Sequence, residues 1–223
     1  MRFFLNTLFP ARCIVCGEVF YYSDQNVVCE YCIHSINQED LEYRHSCGKK
    51  NRNCQGCLTK RIFKDIRVFK RADKSILKMI SAYKFRSIKA LSKVLAEIIK
   101  DDIRYYCETE GIDLVTYVPV HKKVLKERGY NHLYLILKEI FPELYISEIV
   151  KKIRNTSFQA ELSALEREEN LKDAFRIEDL DTVRDKRVLV FDDILTTGST
   201  LRQIYREIRK GKPREIYGYV IAR

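Results

Sequence analysis

Thirteen residues near the carboxyl end, Val188–Thr200 (VLVFDDILTTGST), restrict the fold more than any other part of the chain. The opening apolar run reads as a buried strand. It ends in adjacent carboxylates, Asp192 and Asp193, and after two apolar residues Thr196, Thr197, Gly198, Ser199 and Thr200 lead into a helical pattern. Gly198 permits a tight turn in which successive amides point inward, and a helix start adds the positive end of its dipole. Together they cradle a phosphate, with the hydroxyls as further donors. Paired aspartates at the strand end are placed to accept hydrogen bonds from sugar hydroxyls. An Asp-rich helix cap would explain Asp193 and Thr200 but not the whole block. No Gly-Lys-Thr/Ser follows, which excludes a Walker loop, and the block is not Gly-x-Gly-x-x-Gly.

The surrounding pattern is α/β. Asp73–Arg86 carries Ile76, Leu77, Ile80 and Tyr83 on one helical face, and Ile88–Tyr106 carries Leu91, Val94, Leu95, Ile98, Ile99 and Ile103, with Gly111 breaking the pattern. Strand-like runs follow at Leu114–Val120, Ile146–Ile153, Arg187–Phe191 and Glu215–Ala222, separated by helical stretches around Asn131–Ile140 and Thr200–Arg209. Strands alternating with helices predict a parallel sheet flanked by helices. Ligands bind beyond the carboxyl ends of such strands, so the loop after Val120 faces the same pocket as Val188–Thr200. Of its cations, His121, Lys122 and Arg128 are the candidates for a diphosphate, with Mg²⁺ arriving on the ligand, and Lys123 and Lys126 read as solvated charges.

Seven of the 8 cysteines lie between Cys13 and Cys57, and Cys-x2-Cys turns recur among them. Cys13-x2-Cys16 and Cys29-x2-Cys32 are separated by twelve residues, the spacing of two zinc knuckles. Cys47, Cys54 and Cys57 form a less complete second group, which His45 could close as a Cys3His site or which could merely be packed thiols. Zinc in such modules is structural, since each is too small to fold on apolar area alone. Residues 1–60 therefore read as a zinc-ribbon module and 61–223 as the α/β domain. His34 reads as a surface histidine and Cys107 as a core thiol.

Arg2 and the apolar Phe3–Phe9 are cut short by Pro10, unlike a secretory leader, and no run suits a membrane span, which points to a reduced, cytoplasmic setting. The net charge of +10 favours anionic partners. A basic stretch interleaved with aromatics includes Lys64, Arg67, Lys70, Arg71, Lys84 and Arg86. It suits single-stranded nucleic acid or, equally, the solvated faces of two helices; Lys84 could instead enter the pocket.

The block VLVFDDILTTGST resembles the phosphoribosyl-diphosphate (PRPP) signature of type I phosphoribosyltransferases. LFPARCIVC at the start, AYKF at 82–85, VPVHKKVLKERGYNHL at 118–133, RNTSFQAELSALEREENLKDAF at 154–175 and the closing VIAR resemble the ComF competence family, in order and over nearly the whole chain. That resemblance implies a type I phosphoribosyltransferase-like domain behind a double zinc ribbon. It makes Asp192 and Asp193 ligands of the ribose hydroxyls, Thr196–Thr200 the 5′-phosphate site, and 154–170 a loop closing over PRPP, with Arg154, Gln159, Arg167 and Asn170 matching the family; the helical spacing of Leu162, Leu165 and Leu171 reads instead as an amphipathic surface helix. Arg44 departs from it, standing where the family has a cysteine. The implied function is PRPP binding and the handling of single-stranded DNA during natural transformation, alongside competence helicase and DNA-processing proteins. An active Mg²⁺-dependent phosphoribosyltransferase is the alternative, although no acceptor half is legible. A PRPP-sensing regulator with a nucleic-acid-binding zinc ribbon is a third reading.

Overall fold

The computed structural model describes residues 11–20, 27–38, 62–141, 146–156 and 164–223, without the side chains of 37, 38, 164, 165, 167 and 168. Two short strands, β1 (Ala11–Arg12) and β2 (Val19–Phe20), pair antiparallel, and helix α1 (Glu30–Gln38) follows. The body then runs β3 (Ile66–Lys70), α2 (Lys74–Phe85), α3 (Leu91–Glu110), β4 (Leu114–Tyr117), α4 (Lys122–Arg128), α5 (His132–Ile140), β5 (Val150–Lys152), α6 (Ala164–Leu171), β6 (Phe175–Ile177), β7 (Arg187–Ile194), α7 (Ser199–Arg209) and β8 (Glu215–Ala222).

The main sheet has the order β3-β8-β7-β4, with every pairing parallel. Alternation sends Leu189, Phe191, Tyr217, Tyr219 and Ile221 to one face, in the cluster that also holds buried residues of α2, α3 and α5. Val188, Val190, Ile216 and Val220 go to the other, in the cluster that holds Leu201, Ile204 and Ile208 of α7 and Val150, Phe175 and Ile177. A sheet covered on both faces is why its strands read as nearly continuous apolar runs.

Helix α2 starts where the Asp73 carboxylate accepts from the Ile76 N–H at 2.8 Å. It buries Ile76, Met79, Ile80, Ala82 and Tyr83. Leu77, expected on that face, is 40% exposed; it falls about 100° round the helix from Ile76, and Met79 fills the stripe instead. All six residues expected to bury along α3 do so, and Gly111 ends the helix in the left-handed region at φ 60°.

Two expectations need correction. Ile146–Ile153 is not a strand of the main sheet. Ile146 alone bridges Val115 in parallel, and Val150–Lys152 then pairs antiparallel with β6 in a separate ribbon. The run is interrupted by Glu148, which pairs with Lys151 and is not buried, so it cannot continue as a strand covered on both faces. Conversely, β3 lay hidden inside a basic run. Its Ile66, Val68 and Phe69 are buried, and Ile66 lies opposite Gly218, where an added Cβ would come within 3.0 Å of the isoleucine. The expected boundary between residues 60 and 61 lies outside the described residues.

The cysteine turns share the larger core. Cys13, Val15, Val28, Cys32 and Ile36 belong to the same cluster as Ile76, Met79 and Ile80 of α2. Lys78 Nζ donates to the Val15 carbonyl at 2.9 Å. The buried Lys70 reaches the Ile36 carbonyl at 3.4 Å and pairs with Asp73 at 2.8 Å.

Candidate functional site

Strand β7 ends at the carboxyl edge of the sheet, and Leu195 N–H still donates to the Ala222 carbonyl at 2.9 Å. The chain then turns through Gly198, left-handed at φ 72° and ψ 8°, into α7. A side chain there would be strained. Thr196 is exposed, while Thr197 and Thr200 are half-buried and Ser199 is buried. Thr197 Oγ1 and Ser199 Oγ lie 2.8 Å apart, and Ser199 N–H donates to Thr197 Oγ1 at 3.3 Å. Arg202, one turn into α7, braces the loop by donating to the Thr197 carbonyl at 2.9 Å and to Ser199 Oγ at 3.1 Å. The loop thus combines a helix start, two hydroxyls and a nearby guanidinium, an arrangement suited to a phosphate.

The two aspartates have different surroundings. Asp193 is 3% exposed. Its Oδ2 lies 2.5 Å from Lys84 Nζ and 2.9 Å from His132 Nε2. Arg128 Nη1 approaches His132 Nδ1 at 3.0 Å. A guanidinium can only donate, so Nδ1 accepts and the ring proton sits on Nε2, facing Asp193. Burial lowers the His132 pKa, helped by the positive charges of Lys84 and Arg128 and opposed by its bond to Asp193, so the ring is neutral. Burial would push the Asp193 carboxyl up, but Lys84 and the His132 hydrogen bond overcome it and hold the group below the ordinary carboxylate range. Asp192 is partly exposed and accepts the Asp193 N–H at 2.9 Å. Its own burial and then the neighbouring Asp193 charge raise it to about 7. One carboxylate is therefore anchored and ionised, and the other is able to take or release a proton near neutrality.

The segment after Val120, expected as a loop, is the short helix α4. His121 caps it, Nδ1 accepting from Lys123 N–H at 3.2 Å, and Lys122, Lys123 and Lys126 are exposed. Of the proposed diphosphate ligands, Arg128 is tied into the Asp193 network, whereas His121 and Lys122 sit at the opposite end of the helix.

The sulfurs of Cys13, Cys16, Cys29 and Cys32 lie within 4.8 Å of one another, and those of Cys16 and Cys29 are 3.8 Å apart. Metal–sulfur arms of about 2.3 Å set a tetrahedral edge of about 3.8 Å, so the four thiols fit one ion with no open position. Burial opposes ionisation of Cys13, but backbone N–H groups of Cys29, Cys16 and Val15 outweigh it and bring its thiol to about 7. His45, Cys47, Cys54 and Cys57 lie outside the described residues. His34 is exposed as expected, and Cys107 is buried, its thiol pushed up to about 12.

A family model for the phosphoribosyl transferase domain matches residues 130–223. Competence protein F of Haemophilus influenzae is 28% identical over 227 residues, covering 96% of this chain and 98% of that protein. Over nearly its whole length the chain is thus similar to a competence protein of the ComF type. DNA utilization protein YhgH of Escherichia coli K12 is 30% identical over 132 residues, covering 56% of this chain and 57% of its own length. Among solved structures, a hypoxanthine phosphoribosyltransferase of Trypanosoma cruzi matches with TM-score 0.37 and 12% identity over 59% of this chain and 64% of that one, too weak a likeness to carry an argument.

Arg154 donates to the Lys172 carbonyl at 2.7 Å, beyond the ribbon, and Asn170 lies in α6; Gln159 and the Arg167 side chain are outside the described residues. The six cations expected to form a nucleic-acid face do not stand together as free charges. Lys64 pairs with Glu215, Arg67 with Asp102, Lys70 with Asp73 and Lys84 with Asp193, while Arg71 and Arg86 are exposed. Three of those acids come from distant segments, which a reading of adjacent residues could not supply. His132 was not singled out in the sequence, although a histidine directly after the Gly-Tyr-Asn turn was there to be noticed. Nothing in the sequence distinguished Asp193 from Asp192.

Proposed function

We propose that the chain binds PRPP with Mg²⁺ at the carboxyl edge of the sheet and acts in the cytoplasm in handling single-stranded DNA during natural transformation. The carrying observation is the phosphate loop set beside an acid pair of which one member is anchored by Lys84 and His132. In this reading Thr196–Thr200 hold the 5′-phosphate, Asp192 takes the ribose hydroxyls, and Asp193 keeps Lys84 and His132 in place. His121, Lys122 and Arg128 would contact the diphosphate, Arg128 from beside His132 and the other two from the far end of α4. Magnesium would be held by ligand oxygens and water and would share the diphosphate charge. The ion of the cysteine cluster is zinc with a structural role. The DNA part rests on the similarity to Competence protein F and to DNA utilization protein YhgH.

The test is calorimetric titration of PRPP with Mg²⁺ into the full chain, beside an Asp192→Asn/Asp193→Asn double variant. The reading expects binding that the double variant loses. Wild-type protein that takes up no heat at millimolar PRPP would refute it. A second reading, transfer of the ribosyl group to an acceptor, is favoured by the Asp192 carboxyl near neutrality, which could receive the acceptor's proton. It predicts PRPP consumption in the presence of the acceptor.

A further inference from the structure

Helix α7 carries donors beyond those of the phosphate loop. Ser199, Gln203 and Glu207 recur every four residues and share one side of the helix. Glu207 identifies what that side faces, because its Oε2 accepts from Ile177 N–H of β6 at 3.2 Å. Past Ile177 the chain continues to Leu180 and Val183, which sit against Gly211 beyond the end of α7. The other end of the ribbon, where Lys152 lies opposite Phe175, is therefore directed toward the phosphate loop.

Two donors near that end lack acceptors. Lys152 is on the inward face of the ribbon with Val150, Phe175 and Ile177, and its Nζ lies 5.8 Å from the Phe175 ring centroid. No carboxylate pairs with it among the described residues, whereas its outward neighbour Lys151 pairs with Glu148. Gln203 is 8% exposed, and its Nε2 meets no acceptor. An unpaired cation and an unsatisfied amide in partial burial are both unfavourable, and an oxyanion between them would relieve both. We propose that Lys152 and Gln203 extend the phosphate loop along α7 and bind the outer oxygens of a phosphoryl monoester seated in it, so that the site selects 5′-phosphorylated sugars or nucleotides. This rests on the reading of the loop given above and adds two residues to it.

Burial alone holds the Lys152 pKa below the ordinary lysine value. An anion beside Lys152 reverses that, so ligand binding at alkaline pH should draw a proton into the protein.

Ribose 5-phosphate, inorganic phosphate and PRPP with Mg²⁺ are titrated into the full chain and its variants, each first verified as folded by thermal melting. Lys152→Met should weaken ribose 5-phosphate about tenfold and Gln203→Leu about threefold, in line with loss of a charge-assisted and a neutral hydrogen bond. Lys152→Arg should retain most of the affinity, and Lys151→Met should leave it unchanged. Titration in two buffers of different ionisation heat should show proton uptake in the wild type that Lys152→Met abolishes. Wild-type affinity in Lys152→Met would overturn the inference and leave the loop reading intact. A wild type that binds neither PRPP nor ribose 5-phosphate would overturn the loop reading, and this inference with it.

Discussion

Two adjacent aspartates acquire opposite acid–base behaviour from what each one touches. Asp192 is raised from 3.8 to about 7, so the folded chain favours its protonated form. That preference contributes stability fully present below about pH 4 and lost as pH rises through 7. Asp192→Asn, which cannot ionise, should therefore melt higher than the wild type at pH 8, by the equivalent of about 1–3 kcal/mol, and at the same temperature near pH 4. Melting curves across that range check it. Asp193 behaves in the opposite sense: its contribution is present above the ordinary carboxylate value and is lost on acidification. His132 supports it through a single Nε2–H. His132→Leu should cost about 1–3 kcal/mol by removing that donor and stranding a buried acceptor, while His132→Gln, which keeps a donor, should recover most of it. Denaturant titration of both variants decides whether the donor or the ring matters.

Among the elements, most of the sheet was legible because covered parallel strands announce themselves as β-branched and apolar runs, and α2, α3, α5 and α7 because their apolar stripes follow the helical period. The phosphate loop was legible for a different reason: its residue types are dictated by a turn that requires Gly198 at positive φ. Gly198→Ala should cost about 1–2 kcal/mol and weaken phosphate-ester binding, both readable from one ligand-dependent melting series. What stayed hidden was set by partners far away in the chain. β3 looked like part of a basic face until Asp102 and Glu215 arrived from other elements to pair with Arg67 and Lys64. The ribbon that holds Lys152 was mistaken for a sheet strand because a short antiparallel pair and a parallel strand share the same period of two.

For the whole molecule, the 41 lysines and arginines overstate the free cations of the basic stretch, since Lys64, Arg67, Lys70 and Lys84 are all in ion pairs. If nucleic acid binds this side, Arg71→Glu with Arg86→Glu should reduce the slope of log affinity against log salt for a single strand by about 1–2, which filter binding over a salt series would measure. The cysteine turns are built into the same core as α2. Stripping the metal should therefore lower the melting temperature of the chain as a whole, with Lys78→Met making the cysteine segment more readily cleaved by protease at unchanged metal content. The tyrosine layer on that face has an optical consequence. The chain has 14 tyrosines and no tryptophan, and Tyr83 and Tyr130 stack at 5.6 Å, with the Tyr83 hydroxyl bonded to the His132 carbonyl. Its intrinsic fluorescence is consequently tyrosine emission alone, part of it from rings wired to the acid pair, so occupation of the pocket can be followed without any label, against a background free of indole light.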